Sequence, residues 1–125
     1  MGSVLDYIGS EAALEKLLLL TLGKMNQGIS LLGLDLNYVF INTKCLELLE
    51  LPAEFNRPGM KFEDVMRYNA KRGEYGPGDI EEQVVERVAR ASKFVNHKFD
   101  RIRPDGTVIE IEGSFHSGIG FITTY

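Results

Sequence analysis

The residues of this sequence that could do chemistry fall into five groups. The densest is Arg72-Gly73-Glu74-Tyr75-Gly76-Pro77-Gly78, just ahead of a helical pattern. Backbone amides in a glycine loop can cradle phosphate, but this run lacks the Gly-Lys-Ser/Thr ending, and Asp79 sets a negative charge where the anion would sit. It reads as a turn-making loop. Cys45, the single cysteine, lies on the apolar side of a short helical pattern with no histidine near it in sequence, which points to a packed, inert thiol. His97 and His116 have no cysteine pair or His-Glu spacing around them, so no metal-site pattern is present. Most acids fall on outer faces, away from a cleft where acid–base work would be done, and only Asp100 is expected to turn inward. Arg101 and Arg103 read as cross-strand partners of Glu110 and its neighbours rather than as phosphate readers.

These groups are carried on 125 residues, the length of one domain, of which 44% are hydrophobic and 26% charged, the balance of a folding chain. A net charge of −4 does not suggest the basic surface that nucleic acid requires, so no nucleic-acid partner is expected. One cysteine makes no internal disulfide, and the absence of a secretory pattern fits a cytoplasmic, reducing location. The longest aliphatic run, Leu17 to Leu20, is far short of the ~20 residues that span a bilayer.

The elements that must position these residues follow from spacing. Ser10 caps a helix with Glu11 in its first turn, and Leu14, Leu17, Leu18, Leu22 and Met25 recur along one face. Leu19 and Leu20 widen that surface beyond a single stripe, which implies a second contact. The helix ends at Gly23 or runs on to Met25. Ile29 to Leu34 and Tyr38 to Ile41 form a hairpin about Asp35-Leu36-Asn37, and Asn42 caps a short helix that Pro52 closes. A further helix buries Phe62, Val65, Met66 and Ala70. Asp79 and Glu82 open another, whose inner stripe is Ile80, Val84, Val88 and Ala91. Three strands follow, at about 97–103, 107–113 and 120–124. A two-residue Asp105-Gly106 loop pairs Arg101 with Glu110 and Ile102 with Ile109, and sets Ile102, Ile109, Ile111 and Asp100 on the core face.

Four separated stretches then occur in one order: Gly28 to Asn42 (GISLLGLDLNYVFIN), LELLELP, RYNAKRGEYGPGD and RPDGTVIEIEG…GFITTY. Together they resemble a PAS sensory domain of the type found in sensor histidine kinases and diguanylate cyclases, over roughly residues 14–125. The resemblance implies an α+β fold, a five-stranded antiparallel sheet in order 2-1-5-4-3 with short helices on one face and the N-terminal helix on the other. It divides the chain into an N-terminal dimerisation region, 1–27, and a PAS core, 28–125.

The resemblance further implies a cavity lined by Phe40, Cys45, Leu49, Met66, Val84, Val88, Ile109, Ile111 and Phe121, and homodimer contacts through Leu14, Leu17, Leu18 and Leu22. The cysteine motif of the flavin-binding branch is missing, and Asp79 to Phe94 holds no histidine for haem, so both cofactors are disfavoured and the ligand is unknown. The expected function is sensory: a non-catalytic input module, most simply of a histidine kinase, that detects a small molecule or partner and signals through a dimer. The alternatives are a diguanylate-cyclase input module, a ligand-free dimerisation scaffold and, as an enzyme, a small hydrolase or isomerase using Asp100.

Overall fold

The computed structural model describes residues 9–125. The first eight residues of the region assigned to dimerisation lie outside the described residues. Helix α1 (Glu11–Gly23) begins where Ser10 Oγ accepts from Ala13 N at 3.1 Å and ends at the glycine. The chain then enters β1 (Ile29–Leu32) and β2 (Asn37–Ile41), crosses α2 (Thr43–Leu49), a 3-10 turn (Ala53–Phe55) and the short β3 (Met60–Lys61), and continues into α3 (Phe62–Lys71) and α4 (Ile80–Ala91). It closes with β4 (His97–Ile102), β5 (Val108–His116) and β6 (Gly120–Thr124).

The strands form one antiparallel sheet in the order β3-β2-β1-β6-β5-β4. The five long strands keep the expected arrangement, with the C-terminal strand between the first strand and the second hairpin. The sixth is the two-residue Met60–Lys61, which pairs with Tyr38 and Asn37 at the edge. So short a strand has no periodicity to read.

The core gathers Leu32, Tyr38 and Ile41 from the first hairpin, Cys45, Leu46 and Leu49 from α2, Val65 from α3, and Ile109, Ile111 and Phe121 from the last strands. Helix α1 contributes nothing to it. No residue of α1 is buried, Leu17 to Leu20 are about half exposed, and α1 makes no extended packing against the sheet. The resemblance placed this helix on the sheet's back. In the described residues its leucines stand uncovered instead.

The second hairpin differs from expectation by one residue. Arg103 N donates to Thr107 O at 2.8 Å and Gly106 N to Arg103 O at 2.8 Å, so the loop is the three-residue Pro104-Asp105-Gly106 with Gly106 left-handed at φ 88°. Ile102 therefore pairs with Val108, Arg101 with Ile109 and Asp100 with Glu110. Ile109 and Ile111 stay in the core, but Ile102 is 73% exposed and Asp100 is exposed beside Glu110. A one-residue slip reverses every side chain of a strand. It turns Phe99 and Arg101 inward where Asp100 and Ile102 had been expected.

The first hairpin is built the same way, as Gly33 N donates to Asn37 O and Leu36 N to Gly33 O. In both turns an aspartate braces the loop: Asp35 Oδ1 accepts from Asn37 N at 3.0 Å and Asp105 Oδ1 from Thr107 N at 2.9 Å. Leu36 holds the left-handed place at φ 63° and packs on the core, which offsets the conformational strain.

Candidate functional site

Between the sheet and the helices lies a cavity of about 760 Å³, within the range that encloses small molecules. The strands supply Ser30, Leu32, Tyr38, Ile41, Ile111, Phe121 and Thr123, and Tyr125 follows them. Cys45 and Leu49 of α2, Val65, Met66 and Asn69 of α3, and Arg87 and Ala91 of α4 close the opposite side. The exposed Val95, Phe99 and Ile102 border it as well, so this edge meets solvent.

Of the nine wall residues drawn from the resemblance, Cys45, Leu49, Met66, Ile111 and Phe121 border this cavity. Phe40 does not. The register between β1 and β2 shifts at Leu31/Leu32, so that Leu31 pairs with Phe40 and Leu32 with Tyr38, leaving Val39 as a bulge. The bulge interrupts the alternation, and Tyr38 and Ile41 take the core face while Phe40 leaves it. Val84 and Val88 also stand outside the cavity, because α4 packs against α3. Val84 is buried apart from the main core, and Val88 borders a small cleft with Leu36 and Glu63. Arg87 and Ala91 form the cavity-facing side of α4. Ile109 is buried in the core without touching the cavity. Asp100 faces away from it, which removes the acid on which hydrolase or isomerase chemistry was to rest.

The polar groups of the cavity are mostly held neutral. Burial pushes the Cys45 thiol up to about 12. Burial also raises Tyr38, with Tyr125 and Cys45 adding to the effect, and raises Tyr125. Tyr125 Oη lies 3.5 Å from Ser30 Oγ. At neutral pH this wall presents protonated hydroxyls and a thiol, which suits hydrogen bonding and not nucleophilic attack.

Asn69 is 2% exposed, and its Nδ2 donates to Tyr75 Oη at 3.1 Å. Tyr75 Oη in turn donates to Met66 Sδ at 3.1 Å. Asn69 Oδ1 is buried without a hydrogen-bond partner among the described residues. An amide oxygen left so costs about 1–3 kcal/mol.

One end of the cavity is ionic. The loop after α3 buries Glu74, whose Oε2 accepts from Arg101 Nη2 at 2.7 Å and Arg103 Nε at 2.8 Å, while Oε1 accepts from Arg103 Nη2 at 3.1 Å. Arg72 approaches Oε1 at 3.7 Å and donates to the carbonyls of Leu49 and Glu50. Arg103 also reaches Glu50 Oε1 at 3.1 Å. Burial pushes the Glu74 carboxyl up, but the Arg103 hydrogen bonds and the charges of Arg101, Arg103 and Arg72 outweigh it and hold the group below the usual carboxylate range. The end of α2, the loop after α3 and the β4–β5 hairpin are thereby tied together.

The glycine run is a turn, as its sequence indicated, but it also places Glu74. The pairing of Arg101 and Arg103 with strand acids is corrected: both serve Glu74, and it is Lys98 that approaches Glu110, at 3.6 Å. The signal lay in Pro104-Asp105-Gly106, since a three-residue loop sends Arg101 to the face of Ile109. No grouping of His, Cys, Asp and Glu among the described residues could hold a metal ion. No described helix is long and apolar enough to cross a membrane.

Residues 22–125 match the family described as the PAS fold. Among solved structures, the chain is similar to a domain of the sensory box sensor histidine kinase/response regulator from Geobacter sulfurreducens, with 10% identity and a TM-score of 0.51 over 90% of this chain and 93% of that one. It is similar to the PAS domain of an HTR-like protein from Haloarcula marismortui, with 16% identity and a TM-score of 0.48 over 90% of each chain. A PAS domain from a two-component sensor histidine kinase gives 13% identity and a TM-score of 0.45 over 91% of this chain and 95% of that one. No curated protein matches.

Proposed function

Because this chain belongs to the PAS fold family, we propose that it is a non-catalytic sensory module that takes a small molecule into the cavity and passes its occupancy to a paired copy and to a histidine-kinase output. The observation that carries the proposal is the cavity itself, about 760 Å³ left open between the sheet and the helices and walled by Tyr38, Cys45, Phe121 and Tyr125. A module that only pairs chains has no use for such an open space, since side chains would fill it to native density. The kinase output is supported by the likeness to a domain of the sensory box sensor histidine kinase/response regulator from Geobacter sulfurreducens. Pairing is supported by Leu17, Leu18, Leu19 and Leu20, which at 46–54% exposure form an uncovered apolar turn around α1. Of the dimer contacts expected from the resemblance, Leu14 and Leu22 are half-buried and Leu17 and Leu18 exposed, so the outer pair carries the test.

The route to the chain ends is short. Gly28 N donates to Tyr125 O at 3.1 Å and Tyr125 N to Gly28 O at 2.8 Å, so the segment after α1 lies against the end of β6. The Tyr125 side chain is itself part of the cavity wall. A ligand alters signalling only if it contacts two arrangements of these ends differently.

Native mass spectrometry after mild purification tests the proposal. A retained small molecule is expected, whereas a clean apo mass together with a stable dimer would favour the scaffold. A visible absorption spectrum checks the expectation that the ligand is neither haem nor flavin. Sedimentation of Leu17→Asp with Leu18→Asp tests the pairing surface. Loss of dimer is expected, and an unchanged dimer content would move the interface elsewhere.

A further inference from the structure

We propose that the cavity takes an organic anion, a molecule with an apolar body lying among Leu32, Ile41, Val65 and Phe121 and one carboxylate seated on Arg87. This deepens the sensory proposal and rests on the cavity being a ligand site. Arg87 projects from the cavity-facing side of α4 and is half-buried. Its guanidinium stacks on the Tyr75 ring at 3.4 Å from the centroid, which fixes the plane of the group. Its one hydrogen bond among the described residues runs from Nη1 to Gln83 O of its own helix at 3.3 Å. Four of the five N–H donors of a guanidinium therefore lack a protein acceptor there.

Arg87 also forms no ion pair among the described residues, whereas every neighbouring arginine does. Arg90 is held by Glu86 at 3.1 Å, and Arg72, Arg101 and Arg103 converge on Glu74. Both Glu74 oxygens are occupied by those contacts, so the acid is not free to serve Arg87. At this end three guanidiniums already face only Glu74 and Glu50, and Arg87 adds to a positive surplus in a chain whose net charge is −4. Burial works against the Arg87 charge and Arg90 and Arg101 add repulsion, which Tyr75 and the neighbouring Glu86 offset only in part. Tyr38, Cys45 and Tyr125 are kept protonated and supply no counter-charge.

A carboxylate answers this arrangement because it accepts two parallel bonds from a fixed guanidinium plane. A neutral ligand would leave the Arg87 charge uncompensated. A phosphate dianion would exceed what one unpaired arginine neutralises.

The test uses two matched probe pairs, decanoate with decanamide and naphthylacetate with naphthylacetamide. Calorimetry gives affinity, and amide NMR shifts at Cys45 and Asn69 report cavity binding. Each carboxylate is expected to bind about tenfold or more tightly than its amide. Arg87→Gln is expected to abolish that preference, Arg87→Lys to retain part of it, and Arg57→Gln, at an exposed arginine away from the cavity, to leave it intact. Circular dichroism confirms that each variant folds. Amides binding in the cavity as tightly as the acids, or a co-purified ligand that is neutral, would overturn the anion inference while leaving the cavity a ligand site. A preference surviving Arg87→Gln would overturn the assignment to Arg87. Unchanged cavity resonances with all four probes, together with an apo mass, would overturn both this inference and the sensory proposal.

Discussion

Replacing Glu74 by glutamine removes one charge from the ionic end of the cavity while keeping nearly the same shape. The Glu74 side chain is 4% exposed and Arg103 7%, so their contact is shielded from water. After the substitution Arg103 keeps only Glu50 as a charged partner, at 3.1 Å, and Arg101 keeps none among the described residues. Breaking a buried ion pair from one side costs about 3–5 kcal/mol. Arg101 and Arg72 retain 21% and 23% exposure and can relax toward water, which places the expected loss near the lower end, about 3 kcal/mol. Against a total stability of about 5–15 kcal/mol the domain survives in weakened form.

Urea unfolding at pH 7 should therefore show a lower midpoint with an unchanged slope. The pH dependence supplies the sharper check. The arginines hold the folded Glu74 carboxyl below its unfolded value of about 4.3. Its contribution is then complete above that value and lost as pH falls through the folded one. Parent and Glu74→Gln should differ fully at neutral pH and converge in acid. A loss under about 1 kcal/mol, the scale of an exposed pair, or a gap that persists in acid would refute the reasoning.

Gly120→Ala should cost at least about 2 kcal/mol, because φ is +142° and the added Cβ meets the Leu32 carbonyl across the central strand pair. Gly118→Ala, with open space around it, should cost only about 1 kcal/mol; equal thermal shifts for the two would remove the steric account. Asn42 Oδ1 accepts from Ile29 N and Cys45 N, and its Nδ2 donates to the carbonyls of Leu22 and Gln27, so Asn42→Ala should lose about 2–4 kcal/mol. Asn42→Asp keeps the accepted bonds but aims a charge at two carbonyls; full recovery in chemical denaturation would mean that the donated pair contributes nothing. Cys45 should react with iodoacetamide at pH 8 about a thousandfold more slowly in the folded protein than in urea, given its burial and a thiol pushed up to about 12. A native rate near that of a free thiol would contradict the packing of α2.

The residues located the Ser10, Asn42 and Asp79 caps, and the family resemblance supplied the central place of the last strand; all appear in the structure. What escaped were single-residue events. Asp105-Gly106 is the usual mark of a two-residue turn, yet Pro104 belongs to the loop, and the resulting slip moves Arg101 from the solvent face to the cavity. The bulge at Val39 carries no glycine to announce it, and it exchanges Phe40 for Ile41 on the core face. The stripe Ile80, Val84, Val88 and Ala91 holds only in part, since Ala91 turns to the cavity beside Arg87, and spacing cannot say whether the side of Val84 and Val88 meets the sheet or α3. It meets α3, which leaves Arg87 toward the cavity. Glu74 was hidden because a charged residue in a glycine loop ordinarily belongs to solvent.

These slips share a consequence for mechanism. The cavity is not closed by one continuous apolar wall but by two regions of different chemistry. At one, Tyr125, Ser30 and Thr123 stand where β1 and β6 meet, and the Gly28–Tyr125 backbone pair and Asn42 bind that corner to the end of α1. At the other, Glu74 locks the β4–β5 hairpin to the loop after α3 and to the end of α2. Packed segments joined by such contacts shift as units rather than by gradual deformation. A molecule seated on Arg87 and extending toward Tyr125 would contact both regions at once, so its differential binding energy would act on the relative position of the ionic latch and the α1–β6 junction. On the proposal that the cavity binds a ligand and the chain pairs through α1, substitutions at Asn42, which binds the end of α1, should uncouple ligand binding from pairing more completely than substitutions within the apolar wall.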